Sequence, residues 1–161
     1  MKVHIGPYRR NRKISVKIHE YDCWGLATTL AMVIHPALVE FQKQEKNGCS
    51  PIFMGAPDLN EHDHSDKAIK IGQEKFKEIL DKMIWSFNQL SLDEEFDESP
   101  RCPSPIRVDP DVKQANGCIR MGDRYYQDGA LEKWRKEIKA YDDRIQEGID
   151  LFAKYYQYLW D

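Results

Sequence analysis

The chain has 161 residues, with 24 Lys and Arg against 27 Asp and Glu and a formal net charge of −3. That length lets one domain bury a core without disulfides or metal, and the charge argues against a whole-chain nucleic-acid role. A content of 41% hydrophobic and 32% charged residues is ordinary for a soluble globular protein, and no apolar run approaches the ~20 residues of a membrane span.

Residues 1–10 lack the apolar stretch of a signal peptide, so an intracellular setting with no membrane partner is expected. Cys23, Cys49, Cys102 and Cys118 contain no C-x-x-C pair. Free thiols in a reducing compartment follow, not a zinc knuckle or a thioredoxin-type motif.

Two short strands are predicted at 1–5 and 14–19. In the second, Ile14, Val16 and Ile18 alternate with Ser15, Lys17 and His19, the period of a strand with one buried face. Gly6-Pro7 and Asn11 suit the turn of a hairpin. Two strands alone are marginal in water, so the hairpin is expected to pack on a helix or to find further strands.

Asp22 stands where an N-cap should, ahead of an apolar run that predicts a first helix over 22–47. Pro36 lies inside it and predicts a kink near His35 or two helices meeting there. Residues 49–66 read as a loop, mobile or functional. The clearest helix covers 73–90, where Phe76, Ile79, Leu80, Met83, Ile84, Phe87 and Leu90 fall in steps of three and four and no Gly or Pro interrupts; a short preceding run extends it to 67–90.

Residues 92–112 are acidic and then proline-rich, which predicts an extended or partly disordered connection. Residues 118–121 suit a strand. The last helix is predicted over 130–159, with a seam of Trp134, Ile138, Tyr141, Ile145, Gly148, Phe152, Tyr155 and Leu159. Gly148 either admits a neighbouring backbone or weakens the helix by ~1 kcal/mol. The expected fold is therefore α+β and mostly helical, one domain over 1–161, with three principal helices and a small N-terminal β-hairpin.

The order Val3-His4-Ile5-Gly6-Pro7-Tyr8, Tyr21-Asp22 with Trp24, Thr29-Leu30-Ala31, Pro36 with Leu38, Leu80, Met83-Ile84-Trp85 with Phe87, Leu151-Phe152, Lys154-Tyr155-Tyr156 and Leu159-Trp160-Asp161 resembles a family of small tailed-bacteriophage proteins usually described only as hypothetical. The likeness spreads over nearly the whole chain. It implies a phage protein working in the host bacterial cytoplasm and assigns no mechanism. Relatives often carry Met-Asp and a nearby His where this chain has Gly25-Leu26-Ala27-Thr28, and Asp-Glu where it has Asp81-Lys82, so no role is carried over to those positions.

Three constellations are chemically suggestive. Tyr8, Arg9, Arg10, Arg12 and Lys13, backed by Lys17, can pair guanidinium forks with phosphate oxygens and stack a ring on a base; the plainer reading is a solvated hairpin tip. His62, His64 and Asp66 offer ligands for a borderline metal, with His35 or His19 to complete the set; the plainer reading is a helix cap. Glu78 and Asp81 form an E-x-x-D of the kind that holds magnesium in all-α nucleotide pyrophosphohydrolases, but the second acidic pair such a site needs is absent from the first helix, where Glu40 and Glu45 are not so spaced. The C-terminal aromatics Tyr155, Tyr156, Tyr158 and Trp160 suit either a packed end or a subunit contact.

No Ser/His/Asp or Cys/His set suggests nucleophilic catalysis. The leading expectation is a non-enzymatic phage accessory protein that binds a host protein or a small anionic, nucleotide-like ligand and needs no cofactor. A metal-dependent nucleotide hydrolase using a divalent ion is one alternative, and a homo-oligomeric structural subunit is the other. Nucleic acid is not an expected partner.

Overall fold

The computed structural model describes residues 1–7, 10, 12–44, 66–91, 97–105, 118–121, 124–127 and 129–159. Strands β1 (Lys2–Ile5) and β2 (Ile14–Lys17) form an antiparallel hairpin, followed by helices α1 (Glu20–Trp24), α2 (Leu26–Gln44) and α3 (Asp66–Leu90). A second antiparallel pair, β3 (Cys118–Met121) with β4 (Arg124–Gln127), precedes α4 (Ala130–Tyr155) and a 3₁₀ turn at Tyr156–Tyr158. The fold is α+β and mostly helical, with three long helices.

α3 is central, packed against α2 on one side and α4 on the other. Its stripe supplies Phe76, Leu80, Met83 and Phe87, all buried; α2 adds Ala31 and Leu38, and α4 adds Tyr155. Each large apolar side chain so buried contributes roughly 1.5–3 kcal/mol. Phe87 and Phe152 meet edge to face at 4.9 Å, an arrangement favoured by the ring quadrupoles.

α4 begins after Gly129, which sits at φ 74°, a left-handed conformation that glycine adopts without penalty. Where α4 crosses α3, Gly148 lies against Ser86: a Cβ on the glycine would stand 2.8 Å from the Lys82 carbonyl oxygen and closer still to the serine side chain. Gly148 thus serves close approach, and Ser86 Oγ donates to the Arg144 carbonyl at 3.3 Å across the same crossing.

The first predicted helix is divided, and not at Pro36. α1 ends at Gly25 (φ −120°, ψ 51°), whereas α2 runs unbroken through Pro36. Ala31 and Leu38, on either side of the proline, are both fully seated in the core, so packing on α3 holds the two halves in one helix despite the missing amide. Asp22 is not the N-cap either. His19 occupies that position and Asp22 lies three residues into α1, where its Oδ2 accepts the His19 amide at 2.8 Å, the return half of a capping box.

Residues 97–105 of the acidic and proline-rich connection have no helix or strand, in keeping with an extended segment, and they are tied to α3 and α4. The Glu98 amide donates to Gln89 Oε1 at 2.9 Å, Trp85 Nε1 donates to Glu98 Oε2 at 3.1 Å, and Trp134 Nε1 donates to the Pro100 carbonyl at 3.0 Å. Residues 92–96 and 106–112 lie outside the described residues. Among the described residues, no helix is long and apolar enough to cross a membrane.

Candidate binding surface

The register of the hairpin sorts its side chains by chemistry. Val3 pairs with Val16 and Ile5 with Ile14, while Lys2 pairs with Lys17 and His4 with Ser15. Alternate residues of a strand share a face, so one face is wholly apolar and the other is basic and polar. Residues 1–19 carry six Lys and Arg and no Asp or Glu, in a chain with net charge −3. Positive charge is therefore concentrated in this element.

Among the described residues, neither face is covered: Val3, Ile5, Ile14 and Val16 are 41–66% exposed, and no further strand joins the pair. The expectation that the hairpin packs on a helix or on more strands is not met among the described residues. Its tie to the helices is polar: the Met1 ammonium meets Asp22 Oδ1 at 2.6 Å. That ammonium, with the His19 amide, holds the Asp22 carboxyl below the usual carboxylate range.

The turn is closed by backbone and by one of the candidate cations. The Gly6 amide donates to the Lys13 carbonyl at 2.9 Å, and Arg12 Nε donates to the Gly6 carbonyl at 2.8 Å. Gly6 is itself buried, and a Cβ there would stand 3.2 Å from the Lys13 oxygen. Arg10 and Lys13 are exposed. Among the described residues, Lys2, Arg10, Lys13 and Lys17 meet no carboxylate. Tyr8 and Arg9 lie outside the described residues.

Of the candidate metal ligands, those among the described residues fall on separate elements. His62 and His64 lie outside the described residues; Asp66 is exposed at the start of α3, His35 is in the middle of α2, and His19 is ahead of α1. Glu78 and Asp81 are both exposed on α3, and Asp81 Oδ1 accepts Gln42 Nε2 at 2.7 Å, so it serves the α2–α3 contact. Glu40 has Lys43 within 3.7 Å. Among the described residues, no group of three or more His, Cys, Asp or Glu is placed to hold a metal ion.

Sequence reasoning missed a polar knot where α3, α4 and the acidic connection meet. The Arg144 guanidinium lies 3.5 Å from the centre of the Trp85 ring and 3.7 Å from the Glu98 carboxylate. Gln89, nearly buried, accepts the Glu98 amide and the Tyr141 hydroxyl on the same oxygen. Burial first, then the Asp97, Asp142 and Glu98 carboxylates, raise the Tyr141 hydroxyl above its ordinary range. Every one of these groups is engaged by another, which marks the knot as structural. The available signal was Trp85 on the less apolar flank of α3, where an indole N–H needs a partner.

The class defined is thus a mostly helical α+β protein with an N-terminal hairpin that has one apolar and one basic face, both exposed among the described residues. No family model, curated protein or solved structure matches this chain.

Proposed function

We propose that the protein is a non-enzymatic phage accessory protein that binds an acidic surface on a host protein through the basic face and turn of its N-terminal hairpin, in the host cytoplasm. One observation carries this reading: Lys2 and Lys17 are directly opposed across β1 and β2. Like charges in that position cost stability in the free protein, and an anionic surface would relieve the cost. Arg10 and Lys13 extend the same charge toward the turn. The phage setting rests on the residue pattern around Val3–Tyr8, Trp24, Trp85 and Tyr155.

A protein surface suits this geometry better than a nucleotide. Small ligands are taken up in concave, largely enclosed sites, whereas the hairpin is exposed along both strands. The test uses an Arg10→Ala, Lys13→Ala, Lys17→Ala variant and leaves Arg12 in place because it closes the turn. Host proteins retained by the immobilised wild type are identified, purified and titrated against both forms. Loss of about tenfold or more in affinity, with a steep salt dependence, is expected when three charge contacts are removed. Equal affinity for both forms would sink the assignment. A melting-temperature rise with ATP or tripolyphosphate that the triple variant lacks would instead point to a small anion.

A further inference from the structure

α2 is apolar on two sides, and among the described residues only one of them is covered. Ala31, Ile34 and Leu38 face the core. Leu26, Leu30, Val33 and Ala37, at steps of four, three and four, form a separate ridge, with Leu26 44%, Leu30 43% and Val33 39% exposed. Steps of four and three are the spacing of a helix-pairing seam. From Leu26 to Val39 no Asp, Glu, Lys or Arg interrupts the helix, whereas a surface helix ordinarily turns a charged face to water.

Beside the C-terminal half of this ridge is a groove of about 330 Å³, lined by Val33, Ala37 and Phe41 of α2 and by Phe152, Tyr156 and Leu159 at the end of α4. We infer that this face is the interface of a two-fold dimer in which α2 packs antiparallel against α2 of a second copy. The ridge's bulky residues, Leu26 and Leu30, are in the N-terminal half of α2, and the groove is in the other half. An antiparallel pairing centred near Val33 therefore seats each copy's leucines in the other's groove, with Leu30 opposite Ala37 and Leu26 opposite Phe41. A two-fold interface must be self-complementary in this way.

Charge and composition agree with that occupant. A ridge without charged residues meets its own copy with no like-charge repulsion. Ridge and groove leave Leu26, Leu30 and Val33 about two-fifths exposed and Tyr156 65% exposed, and apolar surface left open in this way marks a contact site. A homodimer interface buries roughly 800 Å² per partner and is about 65% apolar, the composition that this face offers. The dimer leaves the basic face of the hairpin outside its contact set and is independent of the function proposed above.

Sedimentation equilibrium gives the test. Wild type is expected at twice the chain mass of 19.0 kDa. Leu30→Glu and Ala37→Lys should each be monomeric with unchanged circular dichroism, since both positions are exposed in the single chain, and their equimolar mixture should recover the dimer because the new charges face each other. Leu30→Thr provides an uncharged control that should weaken association at least tenfold. A monomeric wild type at tens of micromolar would overturn the inference, whether another protein or another part of the same chain covers the ridge. So would a wild-type dimer that survives both charged substitutions, or a mixture that stays monomeric.

Discussion

Gly148 on α4 and Ser86 on α3 are in direct contact at the helix crossing, with no space for even one added methyl group. Ser86 is fully buried, and its hydroxyl is satisfied by the Arg144 carbonyl. The pair fixes how near the two longest helices lie, and everything built across them depends on that separation.

Gly148→Ala is therefore expected to destabilise the protein. Alanine is a better helix former by ~1 kcal/mol, but overpacking a closed site costs typically ~1–3 kcal/mol, and here backbone of Lys82 as well as a buried side chain stands in the way. A net loss of about 1–2 kcal/mol in urea unfolding is the expected result. An increase in stability would mean that the helices separate at little cost.

The connection at 97–105 depends on Glu98. Glu98→Ala removes the acceptor of Trp85 Nε1 and the carboxylate beside Arg144. Both charged groups are more than half exposed, so global stability should fall by less than about 1 kcal/mol, while protease cleavage between 97 and 105 should accelerate several-fold. Cleavage at the wild-type rate would place the anchor at Gln89 and Trp134 alone.

Asp22 links the chain start to α1, and its depressed pKa sets a pH dependence. Its carboxyl titrates lower in the folded protein than when unfolded, so its contribution is complete above the unfolded value and is lost as pH falls through the folded one. The protection of hairpin amides against hydrogen exchange, taken relative to the intrinsic rate at each pH, should fall below about pH 4, near the ordinary carboxylate value. Asp22→Asn should show the lower protection at neutral pH too, with no further loss on acidification.

Lys82 and Glu147 make a short ion pair of 2.6 Å between α3 and α4, with both side chains half exposed. Solvent and salt screen such pairs. Lys82→Ala should shift the unfolding free energy by less than about 0.5 kcal/mol, in contrast to the glycine substitution one turn away in space. A loss near that of Gly148→Ala would show that charge and not packing sets the crossing.

The helical frame was legible because α3 and α4 carry long, uninterrupted patterns at helical spacing. The alternation of Ile14, Val16 and Ile18 likewise marked β2, and the C-terminal helix is read to 159, four residues past Tyr155, because Tyr156–Tyr158 tighten into a 3₁₀ turn. The division at Gly25 was not legible, since local propensity favours a break at Pro36 and only the contacts of Ala31 and Leu38 with α3 reverse that order. β4 was hidden because Arg124–Gln127 has no apolar alternation. Of the candidate sites, the cation-rich turn could be read from composition, but the opposition of Lys2 and Lys17 required the strand register.

By itself, the sequence determined the periods: which stretches coil into helices, which alternate, and where charge is concentrated. These are properties of neighbours along the chain. Tertiary structure alone decided that Gly148 admits Ser86, that the acidic connection is pinned by Trp85, Gln89 and Trp134, and that α2 is left with a second apolar face. Those facts depend on which surfaces find partners across the fold, and a one-dimensional pattern shows that a face is apolar without showing what covers it.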